Sequence, residues 1–192
     1  MTGKDFLDAI SACPLIIAIL NDETFNLALA SDHEIVFILD ANICNLKDRI
    51  RLLLEKNKKV FVHIDMVQGL SSNSAVVDYI ADSYKGEVGI ITTKHNLIRR
   101  ANQRNIRSIY RGFIVDSKSK NIFLSNLKEG IHPDAVEVLP AFVTGVIKEI
   151  KELYPSLIVI AGGLVTQKKE AYEILNSGAS AISSSSLNLL GD

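Results

Sequence analysis

An α/β architecture with short loops, closed as a compact (β/α)8 barrel of the TIM type, is the fold class the sequence predicts, on three observations. Short runs rich in Ile and Val recur eight times, some 20 to 28 residues apart from start to start. They are apolar on both faces, as parallel strands must be when helices cover each side of the sheet. Segments with helical periodicity separate them, and alternating strand and helix is the α/β pattern. The chain has 192 residues, 47% of them hydrophobic, enough for one sizeable core, so residues 1–192 are read as a single domain. That length falls just under the roughly 200 residues at the lower end for this fold, so the loops must be trimmed. The structural rival is an open doubly wound sheet. Its Gly-rich fingerprint is missing after the first run, where "NDETFN" follows "LIIAIL".

Taken in order, residues 1–13 supply a helix, Thr2 to Ala12, that caps the bottom of the barrel. The strands follow as "LIIAIL" (15–20), "IVFIL" (35–39), "VFVHI" (60–64), "VGIIT" (88–92), "IYRGFIV" (109–115), "AVEVL" (135–139), "LIVIA" (157–161) and "AISSS" (181–185). Among the intervening helices, "NLKDRIRLLLEKN" sets Leu46, Ile50, Leu53 and Leu54 on one stripe. "FVTGVIKEIKELY" repeats that periodicity, and "KKEAYEILNSGA" ends at Gly178 in the manner of a helix C-cap.

The bulk properties narrow the function. A formal net charge of -1 argues against broad, non-specific nucleic-acid binding while leaving room for a local basic patch. Cys13 and Cys44 lack a Cys-x-x-Cys spacing and read as buried core thiols in a reducing compartment rather than as a disulfide. No cleavable leader is evident, and no apolar run approaches the ~18 residues a membrane helix needs. These readings point to a cytoplasmic protein without membrane partners.

Chemistry in such a barrel gathers at the C-terminal ends of the strands. There the sequence places Asp22, Asp40, His63 with Asp65, Thr92-Thr93-Lys94, Asp116-Ser117, Glu137, Gly162-Gly163 and Ser183 to Ser186. A bare glycine pair after the seventh strand and small polar residues after the eighth form the usual phosphate cradle of the fold. Backbone N–H groups there donate to phosphate oxygens, and a Cβ at Gly162 or Gly163 would block that approach. The plain alternative is a tight turn followed by serines.

His63 and Asp65, two apart on a strand, are expected to face one side. They suit a ligand hydroxyl or a structural pair better than a metal, which needs three or four ligands. Lys94 could meet a phosphate, act as a Schiff-base nucleophile if buried, or be a solvated helix-start lysine. Glu137 interrupts an apolar strand, so it must be paired or face the mouth. A general-base role for it lacks an obvious second acid. No metal or other cofactor is called for.

One further feature is "IRRANQRNIRSIYR" (98–111), with Arg99, Arg100, Arg104, Arg107 and Arg111 and no acidic residue from Lys94 through Tyr110. Arg99, Arg100, Arg104 and Arg107 are therefore candidates for RNA phosphate contacts, against the alternative of a solvated helix face. No RNA-recognition motif, KH loop or helix-turn-helix signature accompanies them.

The motifs "VFVHIDMVQGLS", "GIITTKHNLIRRA", "FIVDS", "HPDAVEVLP" and "IAGGLVTQKKEAYEILNSGASAISSSS" closely resemble the glycerol uptake operon antiterminator family, collinearly from about Val60 to Ser186. The resemblance implies a bacterial cytoplasmic regulator with a barrel fold. Such a regulator would bind glycerol 3-phosphate as effector and act on leader mRNA of glycerol-utilisation genes to prevent premature termination. Carried over by motif, the ligand-site candidates are His63, Asp65, Lys94, Glu137, Gly162, Gly163, Ser183, Ser184 and Ser185, with Arg111 facing or supporting the site. There are departures: the family's Arg-Asp pair after strand one reads Leu20-Asn21-Asp22, "STK" reads "TTK", and a Leu-Trp near the C-terminus reads Leu-Leu. The runner-up function is a barrel enzyme, an isomerase, aldolase or phosphodiesterase of a small phosphorylated metabolite. A third is a scaffold that merely keeps a phosphate site. The sequence leaves a homo-oligomer open.

Overall fold

The computed structural model describes residues 2–190; Met1, Gly191 and Asp192, which the sequence reading assigns to the same domain, lie outside the described residues. Eight parallel strands close into a barrel in sequence order: β1 (Leu15–Ile19), β2 (Ile35–Ile38), β3 (Lys59–His63), β4 (Val88–Thr92), β5 (Ser108–Phe113), β6 (Ala135–Leu139), β7 (Ile158–Gly162) and β8 (Ala181–Ser184). Closure comes from β8 pairing with β1, with Leu15 beside Ile182 and Ile17 beside Ser184. This is the (β/α)8 barrel the alternation predicts, and the open-sheet rival is excluded. The helices are α1 (Gly3–Ala12), α2 (Asp22–Ala30), α3 (Leu46–Glu55), α4 (Ser74–Tyr84), α5 (His95–Gln103), α6 (Ser117–Lys128), α7 (Thr144–Leu153), α8 (Lys168–Asn176) and α9 (Leu187–Leu190).

Period-two alternation divides each strand between two cores. Outward residues such as Ile17, Val36, Val62, Val138 and Val159 pack under the helices. Inward residues, including Ile16, Phe37, Phe61, Ile91, Ile109 and Ile160, fill the lumen with Phe6, Ala9 and Ile10 of α1. The Phe6 and Phe61 ring centroids lie 5.0 Å apart and those of Phe37 and Phe61 5.8 Å apart, so α1 closes the lower end with an aromatic plug. Gly89 makes room for it: a Cβ there would sit 2.4 Å from the Phe61 ring.

The α3 stripe is buried at Leu46, Ile50 and Leu53, with Leu54 half-buried. Helix α8 ends at Asn176, and Gly178 (φ +110°) supplies the left-handed turn beyond it. Asn21, where the resembling family has a cation, is the N-cap of α2, exchanging hydrogen bonds with Thr24. The cysteines depart from expectation. Both are free, Cys13 is only half-buried, and Cys44 is exposed, because it falls in the β2–α3 loop rather than on the buried α3 stripe.

Candidate functional site

Above the plug, the same alternation changes chemistry. In the lumen-facing series Phe61 is followed by His63, Ile109 by Arg111, Ala135 by Glu137, Ile160 by Gly162 and Ala181 by Ser183. The β5–β6 register sets Arg111 directly beside Glu137. Arg111 Nε donates to Glu137 Oε2 at 2.5 Å, and Ser183 Oγ donates to Glu137 Oε1 at 2.5 Å. Glu137 is fully buried and Arg111 nearly so. Burying two charges is tolerated when they pair and their remaining sites are satisfied, and here each carboxylate oxygen has a donor.

This trio explains Gly162. A Cβ at that position would lie 2.7 Å from both Glu137 Oε1 and Ser183 Oγ. The residue is therefore bare to admit the Glu137–Ser183 hydrogen bond, not an approaching ligand as the sequence suggested. Gly163 is different: it has φ +81°, and an added Cβ would meet nothing nearer than Leu139 at 3.5 Å. The left-handed backbone, not crowding, selects glycine there. Leu164 follows with φ +66°, an uncommon conformation for a side chain branched beyond Cβ.

The β7–α8 and β8–α9 loops enclose a cavity of about 530 Å3 over the trio, lined by Arg111, Glu137, Gly163, Thr166, Ser183 and Ser185 among others. Ser184 joins the two loops, since its Oγ donates to the Val165 carbonyl at 2.9 Å and accepts from Ser186 N at 3.0 Å.

Four expected ligand residues, Gly162, His63, Asp65 and Lys94, do not line this cavity. His63 is buried in the lumen below the rim. Its burial pushes the imidazole pKa down to about 4, helped by the positive charge of Arg111 and opposed by Asp65. The ring is therefore neutral near pH 7, and its Nδ1 is buried without a hydrogen-bond partner among the described residues. Asp65 does not share a strand face with His63, because β3 ends at His63 and the chain turns. Its carboxylate instead accepts from Thr93 N at 2.7 Å, Thr93 Oγ1 at 2.9 Å and Thr92 Oγ1 at 3.0 Å. Lys94 is exposed and donates from Nζ to the Ser72 carbonyl at 3.0 Å. Asp65 and Lys94 thus lace the loops after β3 and β4 together. No group of three or more His, Cys, Asp and Glu side chains suited to a metal occurs among the described residues.

The arginine segment is also divided. Arg100 pairs with Asp78 at 2.7 Å, and Arg104 with Asp82 and Asp78, across the α4–α5 seam. Arg107 lies past the end of α5, at the bottom of the barrel, and pairs with Asp134. Arg99 is exposed and enters none of the ion pairs among the described residues. Acidic residues that are distant in sequence supply these partners. The positive run is therefore largely neutralised where it stands.

Arg111 stands at the centre of the site, hydrogen-bonded to Glu137 and lining the cavity, rather than at its margin. The available signal was parity: Arg111 and Glu137 are opposite charges at lumen-facing positions of successive strands, which close pairing makes neighbours.

Fold and site together define a (β/α)8 barrel with a polar cavity at the C-terminal ends of its strands, bounded by the two loops that commonly hold phosphate in such barrels. A family model described as glycerol-3-phosphate responsive antiterminator matches residues 15–190, and the chain belongs to that family. Among solved structures, it is similar to a glycerol uptake operon antiterminator regulatory protein from Listeria monocytogenes, with 27% identity and a TM-score of 0.84 over 92% of this chain and 94% of that one. It is also similar to a glycerol uptake operon antiterminator-related protein from Thermotoga maritima, with 32% identity and a TM-score of 0.80 over 93% and 98% of the two chains. The uncharacterized protein YgcP of Escherichia coli (strain K12) is 29% identical over 170 residues, 88% of this chain and 87% of that protein. No helix among the described residues is long and apolar enough to cross a membrane.

Proposed function

We propose that this protein is a glycerol 3-phosphate-controlled regulator that binds leader mRNA of glycerol-utilisation genes in the cytoplasm and prevents premature transcription termination, without a cofactor. The observation that carries the ligand half is the cavity over Arg111, Glu137 and Ser183, walled by the loops after β7 and β8. Backbone N–H groups of those loops would take the phosphate. The Arg111 guanidinium, which spends its Nε on Glu137, would offer its terminal N–H groups to a glycerol hydroxyl. His63, neutral and with an unpaired Nδ1, would support the polyol end, and Asp65 and Lys94 would hold the neighbouring loops. Family membership supports the regulatory half.

The same geometry favours a binding protein over an enzyme. Both oxygens of Glu137 are engaged, so it is not poised as a general base. Lys94 is solvent-exposed, not enclosed in the apolar pocket that activates a Schiff-base lysine. Ligand binding would order the β7–α8 loop and favour one surface conformation, a population shift set by differential affinity.

Calorimetric titration with glycerol 3-phosphate tests the ligand half. Wild type should bind, and Gly163→Val should lose binding while keeping its circular-dichroism spectrum. Binding that survives in Gly163→Val, or is absent from wild type, would remove the cradle assignment.

A further inference from the structure

The barrel mouth is chemically split, and the split falls between groups of neighbouring loops. On the β1–β2 side the helix starts are acidic: Asp22 and Glu23 open α2, Asp40 follows β2, and Asp48 lies in the first turn of α3. On the β4–β7 side α5 and α7 have no acidic residue at the N-cap or in the first turn, whereas α6 is capped by Asp116 and α8 carries Glu170 in its first turn. The positive ends of the α5 and α7 dipoles are therefore not offset from within. Exposed cations stand on the same side. Lys118, Lys168 and Lys169 are exposed in the first turns of α6 and α8, and Arg99 is exposed midway along α5.

Large apolar side chains are exposed among these cations. Phe113 ends β5 and is 54% exposed, Phe142 lies between β6 and α7 and is 47% exposed, and Leu164 after β7 is 77% exposed. Scattered exposed hydrophobics need no explanation. Aromatics at the C-terminal ends of the neighbouring strands β5 and β6, together with exposed cations that enter no ion pair among the described residues, form a patch of defined chemistry.

We propose that this β4–β7 sector of the rim is where a single-stranded segment of RNA docks, its bases stacking on Phe113 and Phe142 and its phosphates meeting Arg99, Lys118, Lys168 and Lys169. The inference rests on the RNA-binding reading above and gives it a surface. Positively charged grooves with exposed aromatic platforms are how proteins hold unpaired strands. Of the arginines that the sequence nominated, Arg100 and Arg104 are consumed by Asp78 and Asp82, whereas Arg99 and the rim lysines enter no ion pair among the described residues. The placement also couples the two sites. Leu164 belongs to the patch and lines the ligand cavity, and Thr166 in the same loop lies two residues before Lys168. Filling the cavity therefore orders a stretch that carries part of the RNA surface.

The test is fluorescence anisotropy of labelled leader RNA from a glycerol-utilisation transcript, with glycerol 3-phosphate present. It compares wild type, Phe142→Ala, a Lys118→Gln/Lys168→Gln/Lys169→Gln triple variant, and Lys47→Gln on the acidic side as control, all checked for an unchanged melting temperature. Loss of one stacking platform should weaken binding roughly tenfold. Loss of three lysines should reduce the slope of log affinity against log salt by about two. Lys47→Gln should bind like wild type. If wild type binds RNA and the rim variants bind equally well, or if Lys47→Gln weakens binding as much as they do, the surface is elsewhere and this inference alone fails. If wild type binds no RNA at low salt, the RNA-binding reading fails and the inference with it. If the rim variants instead convert a sedimenting dimer to monomer with RNA affinity intact, the patch is a face between copies of the chain and the inference is overturned.

Discussion

The lower and upper halves of the barrel lumen are built by the same strands with the same alternation, yet they carry opposite chemistry. Below, Ile16, Phe37, Phe61, Ile109 and Ile160 pack with Phe6 of α1 into a dry plug. One step up the strands, His63, Arg111, Glu137 and Ser183 take the equivalent inward positions, all buried and all polar. An apolar layer is held by area and shape and tolerates substitutions that preserve volume. A buried polar layer is held by specific donors and acceptors, so losing one partner strands another. The barrel thus separates the part that holds it together from the part that meets a ligand by a single step of two residues.

Removing a charge from the upper layer should produce the largest effect. Glu137→Ala leaves Arg111 buried without its partner and should lower stability by about 3–5 kcal/mol in urea unfolding, together with glycerol 3-phosphate binding. Gly162→Ala puts a Cβ against Glu137 and Ser183. It should cost about 1–3 kcal/mol and weaken ligand binding, with Glu137 displaced in a crystal structure of the variant.

His63 sharpens the comparison through pH. Its folded pKa of about 4 lies below the ordinary value of 6.5, so the unfolded chain takes up the proton first. Its contribution is fully present above about pH 6.5 and is lost as pH falls toward 4. The loss is about 2 kcal/mol between pH 7.5 and pH 5. His63→Gln should remove that part of the pH dependence of urea unfolding. The smallest effect belongs to the lower layer: Phe61→Leu should cost about 1 kcal/mol and leave the heat of glycerol 3-phosphate binding unchanged. A lost ligand response in Phe61→Leu, or an unaffected one in Gly162→Ala, would break the division between the layers.

Much of the fold is legible in the sequence, because a buried parallel strand announces itself in apolar runs such as "IVFIL" and "LIVIA". Closure is inferable from the number and spacing of those runs. The site is legible where a polar residue interrupts an apolar strand, as Glu137 does, since burial forces it to find a partner. What sequence cannot supply is which partner. Glu137 is satisfied by Arg111 from β5 and Ser183 from β8, and the latter lies 46 positions away. Gly162 looks like a ligand-approach glycine until Glu137 and Ser183 are seen to occupy its side-chain space. The arginine run looks like a positive surface until α4 and the loop before β6 bring Asp78, Asp82 and Asp134 against it. In each case a contact across the fold decides the meaning of a local pattern.

The central claim is that filling the mouth cavity controls RNA affinity. It is tested most directly by fluorescence anisotropy of labelled leader RNA from a glycerol-utilisation transcript, titrated with this protein at low salt with and without glycerol 3-phosphate. The account predicts that the metabolite tightens RNA binding in wild type and has no effect in Gly163→Val. RNA affinity that is identical with and without the metabolite in wild type, or no RNA binding in either condition, would contradict it.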